Sequence, residues 1–346
     1  MKAMMLTGIR AIGMREVPDP VIKNDTDVLL RISVVGVCGS DVHYYTEGKI
    51  GSQVVQYPFT VGHECAGVVE KVGSAVTRVK SGDKVAIEPA MPCGECDQCL
   101  CGRPHTCRKL RFLGCPGQAS GCLSEYLVMP EESCFPLRQG MTLTQGALSE
   151  PLAIGVYAVK RSIPMKETRI GILGCGPIGL SVIMPAKAQG AAAIYVSDKI
   201  DLRLAMAKKA GAAWTGNPMR EEIVKKISEK EPLLLDAVFE CCGQQEALDQ
   251  AIDLVKPGGK IMLIGIPPTL DRWSLSVDKT RRKEICVQNI RRQVHCVQPA
   301  LDMIHDKRFD VDMMVTHRFA FSQTKKAFDL VAGYQDGVVK AMIDFE

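Results

Sequence analysis

Gly174-Cys175-Gly176-Pro177-Ile178-Gly179 stands between an apolar run, Arg169-Ile-Gly-Ile-Leu173, and an apolar segment of helical composition, Leu180 to Gln189. A G-x-G-x-x-G string alone marks no more than a tight strand–helix turn. In this position it demands a buried parallel strand that runs straight into a helix, and few architectures accommodate that. An acidic residue, Asp198, follows the next apolar run, Ala193-Ile-Tyr-Val-Ser197, at about the 20-residue spacing of a dinucleotide fingerprint. The glycines allow the backbone to approach a pyrophosphate, and the helix N-terminus adds N–H donors and a positive dipole end. Gly174, Gly176, Pro177, Ile178 and Gly179 therefore form the expected phosphate turn. Asp198 is the expected ribose acceptor, which favours NAD over NADP by repelling a 2′-phosphate. Lys199 and Arg203 lie close enough in sequence to touch the nucleotide and keep NADP open.

Further strand signals at Ala237-Val-Phe-Glu240 and Lys260-Ile-Met-Leu-Ile-Gly265, the latter behind a Pro257-Gly258-Gly259 turn, alternate with helical stretches such as Asp201 to Ala210. Alternation of this kind implies a doubly wound parallel sheet. The segment before residue 150 reads differently. Short β-type runs at 28–35, 67–72 and 84–88, broken by Gly73 and by Ser81-Gly82-Asp83, suggest a partly open β-barrel. Pro151 to Lys160, rich in Ala and Val, reads as a helix at the change of pattern. The fold class expected is α/β, in two domains.

Cys93-Gly-Glu-Cys96-Asp-Gln-Cys99, followed by Cys107, places four thiols in one short loop. Without a secretion signal this spacing points to a metal rather than to disulfides. Zinc suits a closed four-thiolate site. An iron–sulfur cluster is the rival, but its cysteine runs place the fourth thiol close by and follow it with proline; here Arg108 follows Cys107. Cys101 reads as a spectator, and His105 as a substitute ligand the set does not need.

The net charge of +4 is small for 346 residues and gives no case for nucleic acid or an anionic membrane surface. The N-terminal residues carry no apolar stretch of signal-peptide length, and the most apolar region, 170–196, is interrupted by glycines, prolines and Lys187. With fifteen cysteines, a reducing cytoplasm is the expected compartment.

Two further strings matter together: Cys38-Gly-Ser-Asp-Val-His-Tyr-Tyr45 and Gly62-His63-Glu64. With Glu150-Pro151-Leu152, Val315-Thr-His-Arg-Phe319, the cysteine lobe and the glycine turn, the chain resembles the zinc-containing medium-chain alcohol dehydrogenases over nearly its whole length. Within them it looks most like the polyol (sorbitol or xylitol) dehydrogenases. The resemblance implies a GroES-like partly open β-barrel catalytic domain and a Rossmann domain, with the active site in the cleft between them. It implies boundaries at 1–150, with the zinc lobe at 93–107, at 151–289, and at 290–346, where the chain returns to the first domain.

The resemblance also implies site roles. Cys38, His63 and Glu64 match catalytic zinc ligands. Glu150 stands where other alcohol dehydrogenases have a third, cysteine ligand; whether Glu64 or Glu150 binds the metal directly stays open. Asp41 matches the residue that orients the ligating His63. Ser40 and His43 match residues that pass the alcohol proton outward, and Tyr44 a substrate-side residue. Two zinc ions are implied, one catalytic and one structural, with NAD as hydride acceptor. The substrate would be a small polyol contacted by Ser40, Tyr44, Glu150 and Arg291, oxidised at a secondary hydroxyl to a ketose. One departure stands out: Ile290-Arg291-Arg292-Gln293 carries a second arginine where polyol enzymes have a tyrosine. L-Threonine 3-dehydrogenase and a phosphorylated-polyol dehydrogenase are the alternatives. The resemblance also implies a homo-oligomer, either a dimer or a homotetramer.

Overall fold

The computed structural model describes residues 1–267 and 272–345. The chain divides into two compact units. One comprises residues 1–150, Val297–Lys307 and the segment from Val311 on; the other comprises Pro151–Cys296 with Arg308–Asp310.

The first unit is built around the strand Asp27–Gly36. On one side it pairs antiparallel with Glu64–Val72. On the other, its first half pairs with Tyr126–Pro130 and its second half with Lys340–Asp344. Sheet order continues through Lys84–Ile87 to Cys134–Pro136 at one end and through Lys340–Asp344 to Val315–Ala320 at the other. Register shifts at Leu29/Leu30 and Ile32/Val34 mark bulges, which bend a strand and sharpen its twist. A strand that changes partner midway, with two bulges, curls its sheet toward a barrel. Leu30, Ile32, Val35, Val69 and Ile87 from these strands pack with Leu6, Tyr45, Phe328 and Ile343 in one core.

The second unit holds a six-stranded parallel sheet in the order Trp214–Gly216, Ala193–Ser197, Arg169–Leu173, Leu235–Glu240, Val255–Leu263, Cys286–Asn289. By sequence rank within the unit this is 3-2-1-4-5-6, the doubly wound order that reverses between the first and fourth strands. The glycine turn follows the first strand, at that reversal. Gly174 has φ of +92°, a conformation that favours glycine, and it packs against Cys242.

Four local readings differ from the sequence pattern. The helix at the change of pattern spans Leu143–Arg161 and begins well before Pro151. The reason is a reciprocal cap: Gln145 N donates to Thr142 Oγ1 and Thr142 N to Gln145 Oε1, both at 3.1 Å. Thr142-Leu-Thr-Gln145 was the available signal. The helix after the glycine turn spans Pro177–Ala188, with proline at its first position, where a missing N–H costs nothing. Pro257-Gly258-Gly259 lies inside the strand Val255–Leu263 rather than before it; Gly258, at φ +73°, bends that strand without ending it. Residues 290–296 belong to the second unit: Ile290 N donates to Leu263 O, extending the edge pairing, so the chain rejoins the first unit at Val297.

Candidate active site

The helix Gly39–Glu47 starts directly after the central strand of the first unit, with Cys38 at its N-cap. Asp41, in its first turn, is buried and faces inward. Its Oδ2 accepts from Cys38 N at 3.4 Å, its Oδ1 accepts from Gly62 N at 3.0 Å, and Oδ1 lies 3.3 Å from His63 Nδ1. One carboxylate thus ties the N-cap, the Gly62 turn and the imidazole together. Glu64 opens the neighbouring strand opposite Gly36, where a Cβ would lie only 2.3 Å from Glu64 Oε2. Donor atoms of Cys38, His63 and Glu64 fall within 4.8 Å of one another.

The electrostatics are those of a buried, mixed-charge cluster. Burial disfavours the proton on His63, yet Asp41 and Cys38 outweigh it and hold the ring's pKa well above the usual imidazole value. A metal ligated by this ring would have to compete with a proton for it. Burial pushes the Glu150 carboxyl up to about 7, helped by the charges of Glu64 and Asp41 and opposed by His63 and Lys340. Ser40 Oγ donates to Cys38 Sγ at 3.4 Å. His43, largely buried on the same helix, has its pKa lowered by that burial, with Glu47 pulling the other way.

Lys340 was not legible in the sequence. Its ammonium lies 2.8 and 2.6 Å from the two Glu64 oxygens and 3.2 Å from Val37 O, with both side chains almost wholly buried. A lysine heading the apolar run Lys340-Ala-Met-Ile was the one available clue, because lysine is seldom buried unpaired. Tyr44 is buried in the core; its hydroxyl donates to Gln53 Oε1 at 3.0 Å. Arg291 is exposed and belongs to the second unit, whereas Ser40, Tyr44 and Glu150 belong to the first.

The cysteine lobe forms a second donor cluster. Sulfur separations are 3.6 Å for Cys96–Cys99, 3.8 Å for Cys96–Cys107 and 3.4 Å for Cys107–Cys93. A zinc tetrahedron with Zn–S of about 2.3 Å has S–S edges of about 3.8 Å, so the four thiols fit that ion. Cys93 N and Lys109 N both point at Cys107 Sγ. Backbone amides of Arg108 and Cys99 draw the Cys96 thiol down to about 6, whereas burial and the neighbouring Cys96 push Cys99 up to about 12. Arg108–Asp97 and Lys109–Glu95 ion pairs brace the loop from outside. Cys101 turns away, exposed, and His105 is absent from the donor group.

In the second unit Asp198 is buried beside the glycine turn. Its Oδ2 accepts from Cys175 N at 2.6 Å and its Oδ1 from Ile200 N at 2.8 Å. Each oxygen keeps a second acceptor site. The Arg203 guanidinium is buried alongside Gly176, 3.4 Å from where a Cβ would stand.

This fold and these donors define a class, and the comparisons agree. Residues 24–139 match the alcohol dehydrogenase GroES-like domain and residues 177–306 the zinc-binding dehydrogenase family. The chain belongs to the zinc-type medium-chain alcohol dehydrogenases, in their polyol dehydrogenase group, and is an oxidoreductase. It is 34% identical to sorbitol dehydrogenase from Bacillus subtilis over 344 residues, covering 99% of this chain and 97% of that one. An Escherichia coli dehydrogenase of unknown specificity superposes with a TM-score of 0.94 at 32% identity, covering 100% of this chain and 99% of that one. A zinc-binding dehydrogenase from Sinorhizobium meliloti 1021, bound to NADP, superposes at 0.90 with 28% identity, covering 99% and 98%. Among the described residues no helix is long and apolar enough to cross a membrane.

Proposed function

We propose that the protein is a zinc- and NAD-dependent dehydrogenase that takes hydride from a secondary hydroxyl of a sorbitol- or xylitol-like polyol and gives a ketose. The observation that carries the reading is the convergence of Cys38, His63 and Glu64 on one point, next to a helix that also bears Ser40 and His43. Three protein donors leave a fourth position for substrate oxygen, the pattern of a catalytic rather than a structural zinc. Zinc bound there would supply a Lewis acid that lowers the pKa of a hydroxyl, and the nicotinamide the hydride acceptor.

The chain's own groups do the rest. Asp41 fixes the ring of His63. Glu150, buried with its carboxyl near neutrality, is suited to hold a hydroxyl or a water at the open position. Ser40 and His43 pass the released proton outward. The four lobe cysteines hold a second, closed zinc. Asp198 reads the ribose diol and sets the preference for NAD. The relatedness to a sorbitol dehydrogenase supports a polyol over a simple alcohol.

The test is a panel of sorbitol, xylitol, 2,3-butanediol, L-threonine, ethanol and 2-propanol with NAD and with NADP. Polyols should exceed ethanol and 2-propanol in kcat/KM by orders of magnitude, because buried polar groups left unpaired by an apolar substrate are costly. Strong turnover of threonine with none of the polyols would overturn the substrate class. Arg292 beside Arg291 favours one second reading, a phosphorylated polyol, for which sorbitol would be a poor substrate and its phosphate a good one.

A further inference from the structure

Asn217 follows the strand Trp214–Gly216 by one residue, and Gly216 pairs with Ser197, the residue before Asp198. It is one of the few polar side chains buried in the second unit. Its Nδ2 donates to Lys199 O at 3.1 Å and to Asp201 Oδ1 at 3.0 Å, and its Oδ1 accepts from Met219 N at 3.0 Å. Both hydrogens of the amide are thus spent on the short turn after Asp198 and on the first residue of the helix Asp201–Lys209.

Lys199 C=O and Ile200 N–H belong to the same planar peptide. Asn217 grips that plane at the carbonyl; Asp198 Oδ1 accepts from it at the N–H, at 2.8 Å. With Oδ2 held by Cys175 N, the orientation of this one peptide sets the second anchor of the Asp198 carboxylate, and so its rotation. We infer that Asn217 is a positioning residue for cofactor choice: through the Lys199–Ile200 peptide it aims Asp198 at the ribose and so sets the discrimination between NADH and NADPH.

The inference rests on the proposed ribose-reading role of Asp198. Without the Nδ2 donor the peptide is free to turn, Asp198 loses the Ile200 N–H, and its carboxylate is held by Cys175 N alone, free to rotate about that single contact. The Lys199 side chain, exposed on the same peptide, then becomes available to a 2′-phosphate. The ion pair between Asp201 and Arg220 lies beside this loop but is largely exposed, so it adds little to the fixing.

The test uses Asn217→Ala and Asn217→Ser; the serine keeps an oxygen for Met219 N and protects the fold. Two quantities are read: hydrogen exchange over residues 198–201 in the cofactor-free protein, and the dissociation constants of NADH and NADPH by fluorescence titration. Exchange at Ile200 should accelerate in both variants. NADH should weaken about tenfold, the loss of roughly one hydrogen bond, with NADPH changing less, so that the NADPH/NADH ratio of constants falls. Equal weakening of both cofactors, or unchanged exchange at Ile200, would overturn the inference. A wild-type protein that prefers NADPH would instead sink the NAD reading alone, and the positioning role would then stand or fall on the exchange at Ile200 and on whether the ratio moves.

Discussion

The most consequential single contact in the first unit is the Lys340–Glu64 pair. Both groups are almost wholly buried, and Lys340 carries its charge there because Glu64 and Cys38 outweigh the penalty of burial. Pairs of this kind are expensive to form and more expensive to break, since removing one partner strands the other's charge away from water. Lys340→Met is expected to lower the unfolding free energy by about 3–5 kcal/mol in urea titration. The double variant Lys340→Met/Glu64→Leu should recover part of that loss. A single-variant cost below about 1 kcal/mol would mean that water reaches the pair in solution. The same contact bears on metal binding, because Glu64 is shared between an ammonium and the candidate metal position.

Among the elements, the central strand Asp27–Gly36 depends on how it is entered. Asp27 is buried at its start and accepts from Lys23 N at 3.1 Å, from Asn24 N at 2.9 Å and from the Asn24 side chain. Burial pushes its carboxyl up, but the amides of Asn24 and Lys23 prevail and hold it below its usual value. A depressed carboxyl contributes stability that is present above the unfolded pKa of about 3.9 and is lost as pH falls through the lower, folded value. Asp27→Asn should therefore cost about 1–3 kcal/mol near pH 7, and the difference in Tm from wild type should shrink toward pH 3. A difference that stays constant over that range would show that charge is not what Asp27 supplies. Elements such as this strand and the parallel strands were legible because apolar runs between turn residues leave a local signature. The early start of the helix Leu143–Arg161 had a local signal in Thr142 and Gln145, which the reading from Pro151 missed. Lys340 against Glu64 and the aim of Asn217 at Lys199 were not legible, because such contacts depend on residues brought together from different strands, and no local pattern records them. The metal donors occupy a middle position: each string was weak by itself and informative only in combination.

Across the whole molecule, the two donor clusters are separate in sequence and different in chemistry, so they should fail differently. Cys38→Ser is expected to remove turnover and about one equivalent of zinc while leaving the melting transition nearly in place. Cys96→Ser should remove the other equivalent, loosen residues 93–109 to proteolysis and lower Tm. Metal analysis with limited proteolysis distinguishes the two; iron with a visible charge-transfer band would reassign the lobe. The route of the chain through the first unit has another consequence. The second unit is nearly continuous, whereas the central strand of the first has to wait for Lys340–Asp344, and Glu64 for a partner 276 residues further along. Domains fold as units during synthesis, at about 5–20 residues per second. On the ribosome, then, the unit begun first is finished last. For about tens of seconds the emerging chain would then carry Cys38, His63 and Glu64 without Lys340 and its strand, open to whatever metals and chaperones the cell supplies, until Lys340–Asp344 is made.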